Sequence, residues 1–305
     1  MEYICNDCPR KCNVFRNETH LSGFCHSYSL PTVVRAAAHF GEEPCISGTR
    51  GSGAIFFSGC NLKCVFCQNM EISRSGEIGE TVSVQALQDM ILRLQDTGVH
   101  NINLVTATHY TRAVAEALSG LSLEIPVVWN SSGYESVETL KLLEGLVQIY
   151  LPDMKYCQSD LAVSYSHAPD YPETAMSAIR EMYRQTGPFV MDKDGILQSG
   201  VIIRHLILPS QEMNTMDVID FVADEFPPNC VMFSLMSQYT PMGAIERFPE
   251  LSSTVSTETS ENMRIYMEKR RIECGYWQEG SSATQDMIPS FDLTGVFSEG
   301  GIPKL

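Results

Sequence analysis

Apolar positions along the chain follow two alternating rhythms. Nearly uninterrupted apolar runs at 54–58, 101–106, 125–129, 146–151, 201–208 and 230–235 read as strands buried on both faces. Between them, apolar residues recur every three or four positions, the period of a helix with one buried face. Ser83 is placed to cap the first such helix; its stripe is Val84, Leu87, Met90, Ile91 and Leu94, and Gly98 stops it. Further helices read at 113–121, at 137–143 ahead of Gly145, at 172–183 between Pro172 and Gly187, and at 216–223. A last long helix carries Glu258 and Glu261 near its start and Lys269, Arg270 and Arg271 near its end, with Gly275 as its stop. Six strands joined by helices predict an α/β fold: a parallel sheet with helices outside it.

The N-terminal stretch breaks this pattern. Residues 1–30 are polar, cysteine-rich and aperiodic, 33–40 form a short apolar segment, and Gly48, Gly51 and Gly53 mark loops before the first buried strand. The expected organisation is a cysteine-rich segment over 1–45 followed by one α/β unit over 46–305. A hydrophobic content of 44% with 19% charged residues is that of a globular chain. Its start, Met1-Glu2-Tyr3-Ile4-Cys5, lacks the basic and apolar regions of a signal peptide, and no apolar stretch has the length of a membrane span, so a cytoplasmic protein is expected. In that compartment eleven cysteines are not disulfide partners, which leaves metal or iron–sulfur binding for those that cluster. A net charge of −16 argues against broad nucleic-acid binding.

Cys60, Cys64 and Cys67 lie in a C-x3-C-x2-C run directly after the strand at 54–58. Three thiolates on a short loop suit three corners of a 4Fe–4S cluster and leave one iron without a protein ligand. Structural zinc is the weaker fit, because it prefers four ligands in paired C-x2-C units. The end of a buried parallel strand is also where α/β folds carry their chemistry.

With Phe66 before the third cysteine, the loop resembles the radical S-adenosylmethionine superfamily. More widely, the chain is similar to relatives of the pyruvate formate-lyase activating enzyme, the PflX type. The strings carrying this likeness include Gly48-Thr49-Arg50-Gly51-Ser52-Gly53, Thr106-Ala107-Thr108-His109-Tyr110, Asn130-Ser131-Ser132-Gly133-Tyr134 and Gln238-Tyr239-Thr240-Pro241. The resemblance implies a partial (β/α)6 TIM-like barrel. It implies an S-adenosylmethionine bound at the open iron and cleaved reductively to a 5′-deoxyadenosyl radical, with an electron donor such as flavodoxin or ferredoxin. A glycyl radical enzyme is the implied protein substrate; a small molecule or peptide, or a purely electron-carrying role, are the alternatives. Activating enzymes carry Gly-Gly-Glu after the second strand, where this chain has Thr106-Ala107-Thr108-His109.

Candidate cofactor contacts sit at the strand ends. Thr106 and Thr108 follow the second strand, where Thr108 also fits a helix cap. Asn130 and Ser132 follow the third and suit ribose hydroxyls. Asp153 and Lys155 follow the fourth; alternation puts both on one face, as a ligand contact or an ion pair. Of Arg204 and His205 only one can face the interior, and Arg204 fits either a cofactor carboxylate or a structural salt bridge. Finally, Cys5, Cys8, Cys12 and Cys25 give C-x2-C-x3-C-x12-C, a possible second metal site for zinc or another Fe–S cluster.

Overall fold

The structure is a computed structural model and describes residues 2–278 and 289–297. Its strands are β1 (Tyr3–Cys5), β2 (Val14–Arg16), β3 (Thr32–His39), β4 (Ser52–Phe57), β5 (Glu80–Thr81), β6 (Ile102–Val105), β7 (Val127–Ser131), β8 (Ile149–Pro152), β9 (Val190–Met191), β10 (Leu197–Leu206), β11 (Met232–Met236) and β12 (Gly275–Gln278). Its helices are α1 (Pro44–Ser47), α2 (Met70–Ser73), α3 (Val84–Asp96), α4 (Thr111–Ser119), α5 (Val137–Leu140), α6 (Ser159–Ser166), α7 (Tyr171–Thr186), α8 (Glu212–Glu225) and α9 (Thr257–Lys269).

The main sheet runs β12-β11-β10-β8-β7-β6-β4-β3-β5, and its run from β4 to β12 is parallel throughout. Its two ends are not paired with each other among the described residues, so the barrel is partial. All residues of β4, β6, β7 and β8 are buried, which explains their unbroken apolar runs.

Six strands go beyond the six read from the sequence, and two of them, β3 and β12, extend the main sheet over several residues. β3 lies antiparallel against β4, with Ala36 opposite Ile55. β12 adds a seventh parallel strand where the sequence suggests only a helix stop at Gly275. In fact α9 ends at Lys269, and Arg271, with φ of 60°, turns the chain before Gly275 pairs with Phe233. The helix α6 also lies where no helix is read.

Helix ends follow their local chemistry. The Ser83 hydroxyl accepts from the Ala86 N–H at 3.1 Å, and α3 buries Ala86, Leu87, Met90, Ile91 and Leu94. Strand alternation then sorts the core. Outward residues such as Leu104, Trp129, Tyr150 and Phe233 join the large core that includes Leu87, Val114, Ile179 and Val218 of the helices. Inward Val128, Ile149, Leu151, Ile202 and Met232 instead enclose Cys45 and Ile46 of α1, which plugs one end of the barrel. No helix among the described residues is long and apolar enough to cross a membrane.

Candidate functional site

Above this plug lies a cavity of about 280 Å³, just below the ~300–1,000 Å³ range for ligand sites. Cys60, Cys64 and Cys67 all line it, as do Thr106, Asn130, Ser132, Asp153, Lys155 and Arg204. Thr108 does not line it. Its hydroxyl is turned away and donates to the buried Glu135 carboxylate at 2.6 Å.

The loop carrying the three cysteines is fastened at several backbone points. Arg74 donates to the carbonyls of Lys63 and Cys64, each at 3.2 Å, and Arg10 donates to that of Asn61 at 2.8 Å. Each sulfur accepts a hydrogen bond: Cys60 from the Leu62 N–H at 3.3 Å, Cys64 from the Ser166 hydroxyl at 3.1 Å and Cys67 from the Ser73 hydroxyl at 3.5 Å. Sulfurs that accept in this way suit thiolates, and such bonds tune an iron–sulfur centre. Without a cation, burial pushes the Cys64 thiol up to about 12, even with Lys155 nearby pulling it down.

A charged network forms the polar floor. Arg204 donates from Nε to Asp153 at 3.0 Å, from Nη1 to Glu42 at 3.0 Å and from Nη2 to the Asn130 side-chain oxygen Oδ1 at 2.6 Å. Lys155 donates to the other Asp153 oxygen at 2.6 Å, and the Asn130 amide donates back to Glu42 at 3.0 Å. Burial raises the Asp153 carboxyl, but Lys155 and Arg204 outweigh it and hold it below its ordinary range. Burial likewise works against the Lys155 ammonium, and Asp153 more than restores it. His205 faces the other side of the strand, between the Met154 carbonyl at 2.7 Å and the Thr215 hydroxyl at 3.0 Å. Alternation therefore gives the interior to Arg204.

Two carboxylates here have no counterpart in the sequence reading. Glu42 and Glu43 precede the plug helix α1 and line the cavity. Glu43 is 2% exposed, one of its oxygens lacks a partner among the described residues, and burial raises its pKa. An acidic pair before a proline resembles a solvated loop, so the signal was present only as two charges in a Gly-rich approach to a strand. Thr106 carries a different mark of function. It is β-branched yet has φ of 61°, a conformation such residues rarely adopt.

The N-terminal cysteines lie elsewhere. Cys5, Cys8, Cys12 and Cys25 line a separate recess of about 10 Å³, room for about one water molecule. All eleven cysteines are free of disulfides. Among the described residues, no group of three or more His, Cys, Asp or Glu is placed to hold a single metal ion.

Residues 54–184 match the model of the Radical SAM superfamily. Uncharacterized protein MJ0674 of Methanocaldococcus jannaschii is 29% identical over 284 residues, covering 89% of this chain and 76% of the relative. Among solved structures, Streptococcus suis SuiB aligns with a TM-score of 0.47 and 15% identity over 73% of this chain. The match spans about half of SuiB, 47% of its length. A domain of pyruvate-formate lyase-activating enzyme from Bacteroides vulgatus aligns with a TM-score of 0.37 and 14% identity, over 64% of this chain and 91% of that one.

Proposed function

We propose that this chain is a radical S-adenosylmethionine enzyme that holds a 4Fe–4S cluster and S-adenosylmethionine, the cofactors of the Radical SAM superfamily whose model residues 54–184 match. Cys60, Cys64 and Cys67 ligate three irons of the cluster, and the fourth faces the cavity. S-adenosylmethionine occupies the cavity, in reach of Thr106, Asn130, Ser132, Asp153, Lys155 and Arg204. Thr108 acts at one remove, by fixing Glu135.

The observation that carries this reading is the meeting of two features in one cavity: three hydrogen-bonded cysteine sulfurs and a floor that presents both signs of charge. An amino-acid head is a zwitterion. Its carboxylate suits Lys155 and the N–H groups that Arg204 has to spare, since three of its five donors are engaged. Its ammonium suits Glu43, which lines the cavity and has one oxygen without a hydrogen-bond partner among the described residues. The plug helix closes the barrel beneath this floor, and the lower dielectric of the packed interior strengthens each of these contacts. When bound and reduced, the cluster supplies the electron that cleaves S-adenosylmethionine into methionine and a 5′-deoxyadenosyl radical.

The substrate of that radical is a glycyl radical enzyme on the strength of the resemblance to activating enzymes, with flavodoxin or ferredoxin as the electron donor. A second metal site at Cys5, Cys8, Cys12 and Cys25, zinc or Fe–S, completes the reading. The test is anaerobic turnover: reconstituted, reduced protein is expected to release 5′-deoxyadenosine and methionine. An intact cluster with no such release would sink the enzyme reading. For the substrate, an anaerobic pull-down followed by electron paramagnetic resonance is expected to show a glycyl radical in the captured protein. Radical formation on a small molecule or peptide instead would replace that half of the proposal.

A further inference from the structure

The recess at the N-terminus contains a charge that its protein surroundings do not balance. Arg16, at the end of β2, is fully buried at 0% exposure. Three groups reach its guanidinium: the Cys25 sulfur at 3.2 Å, the Tyr3 hydroxyl at 3.4 Å and the His109 carbonyl. None is a carboxylate, and its Nε has no partner among the described residues. The nearest carboxylate lining the recess, Asp7, is engaged by Arg112 at 2.7 Å. A buried guanidinium without a counter-charge is costly. Sulfur can supply that charge once it is a thiolate, and metal binding is what makes four buried thiols ionise together.

The spacing distinguishes a cluster from a single ion. Four thiolates around one zinc lie ~2.3 Å from it, so they touch across the site and leave no gap the size of a water. Here such a gap exists between the cysteines, at about 10 Å³, and no three of them gather around one point. In a cubane each thiolate takes its own iron, and the sulfurs stand apart around a shared core. The recess also abuts the first cysteine loop. A Cβ on Gly59, which has φ of 83°, would lie 2.9 Å from the Cys25 carbonyl oxygen and 3.1 Å from Nε2 of His109.

We infer that Cys5, Cys8, Cys12 and Cys25 hold a 4Fe–4S cluster that is closed to ligands and whose negative charge is balanced by Arg16. This rests on the reading of a second metal site and not on the identity of the radical-forming one. The full chain carrying Cys60→Ala, Cys64→Ala and Cys67→Ala separates the two. After anaerobic reconstitution with iron and sulfide in the presence of zinc, this variant is expected to hold ~4 iron and ~4 sulfide per chain. Its reduced paramagnetic spectrum is expected to be unmoved by S-adenosylmethionine. Arg16→Met is expected to lower the midpoint potential of that cluster, because the cation favours the more negative reduced state, and Arg16→Lys to restore it.

One zinc with no iron, or no metal on a chain whose circular dichroism is that of wild type, would overturn the inference. An unmoved potential in Arg16→Met would overturn the role of the arginine. Should the triple variant fail to fold, wild type gives the same answer: ~8 iron per chain supports the inference and ~4 contradicts it. Absent turnover of S-adenosylmethionine with these ~4 N-terminal irons in place would defeat only the proposed function.

Discussion

The two cysteine sets each lie beside an arginine, fully buried in the recess and half-buried in the barrel, and the arginines are solvated by the protein in opposite ways. Arg204 in the barrel has Glu42, Asp153 and Asn130 around its guanidinium, so its charge is settled by side chains alone. Arg16 in the N-terminal recess has a sulfur, a hydroxyl and a carbonyl. The cysteines differ in parallel: three open on a cavity of about 280 Å³, and four enclose about 10 Å³. A region that is charge-balanced and roomy before anything binds is built to receive a small molecule and release it. By contrast, a region that is tight and lacks an anion is built to hold a permanent group.

The largest effect expected from this contrast is on turnover. Cys64→Ala should reduce S-adenosylmethionine cleavage to background while leaving the N-terminal iron in place, as read by product chromatography and metal analysis. Stability then separates the two arginines. Arg204→Met leaves Glu42 and one Asp153 oxygen without a cation, and denaturant unfolding should show a loss of ~3–5 kcal/mol with or without metal. Arg16→Met should cost stability only in the metal-loaded chain, because without metal no carboxylate loses a partner.

Between the two regions runs the segment from Thr108 to His109. His109 backs the recess, and Thr108 donates to Glu135 beneath the strand ends. Burial raises the Glu135 carboxyl from 4.5 to about 7. The folded chain therefore binds more protons than the unfolded chain between those values, and stability falls as pH rises through that window. The whole contribution is ~3 kcal/mol. Glu135→Gln should remove that part of the pH dependence in unfolding experiments, since the amide oxygen still accepts from Thr108 and from Trp129, now at 3.1 Å.

The smallest effect marks the edge of the cavity. Ser132→Ala should weaken S-adenosylmethionine binding by about fivefold, worth ~1 kcal/mol, with stability unchanged. Thr108→Ala should do the reverse, costing ~1–2 kcal/mol of stability and leaving affinity intact. Equal effects of the two on affinity would mean that the cavity extends to Thr108.

Much of this arrangement is legible in the sequence because it is local. The run at 54–58 names a buried strand, Ser83 names a helix start, and C-x3-C-x2-C names a loop that gathers three thiols. What escapes is set by tertiary contact. Glu42 and Glu43 look like a solvated pair until α1 inserts into the barrel and carries them to its floor. β12 escapes because its pairing with β11 depends on a turn at Arg271, and Gly275 reads equally as a stop. Arg204 and His205 are adjacent polar residues in an apolar strand, and strand alternation narrows their roles to one inward residue without saying which. The Thr108 hydroxyl points away from the cavity because Glu135, 27 positions later, is buried behind it.

The central claim is that small-molecule chemistry belongs to the three-cysteine cavity, whose cluster is open to a ligand, and that the group in the four-cysteine recess is closed to ligands. Electron paramagnetic resonance of two reduced variants, with and without S-adenosylmethionine, tests it most directly. One variant carries alanine at Cys60, Cys64 and Cys67, and the other carries it at Cys5, Cys8, Cys12 and Cys25. The expected result is a spectrum that shifts on adding S-adenosylmethionine only where Cys60, Cys64 and Cys67 are intact. A shift in the variant that retains only the N-terminal cysteines would contradict the assignment.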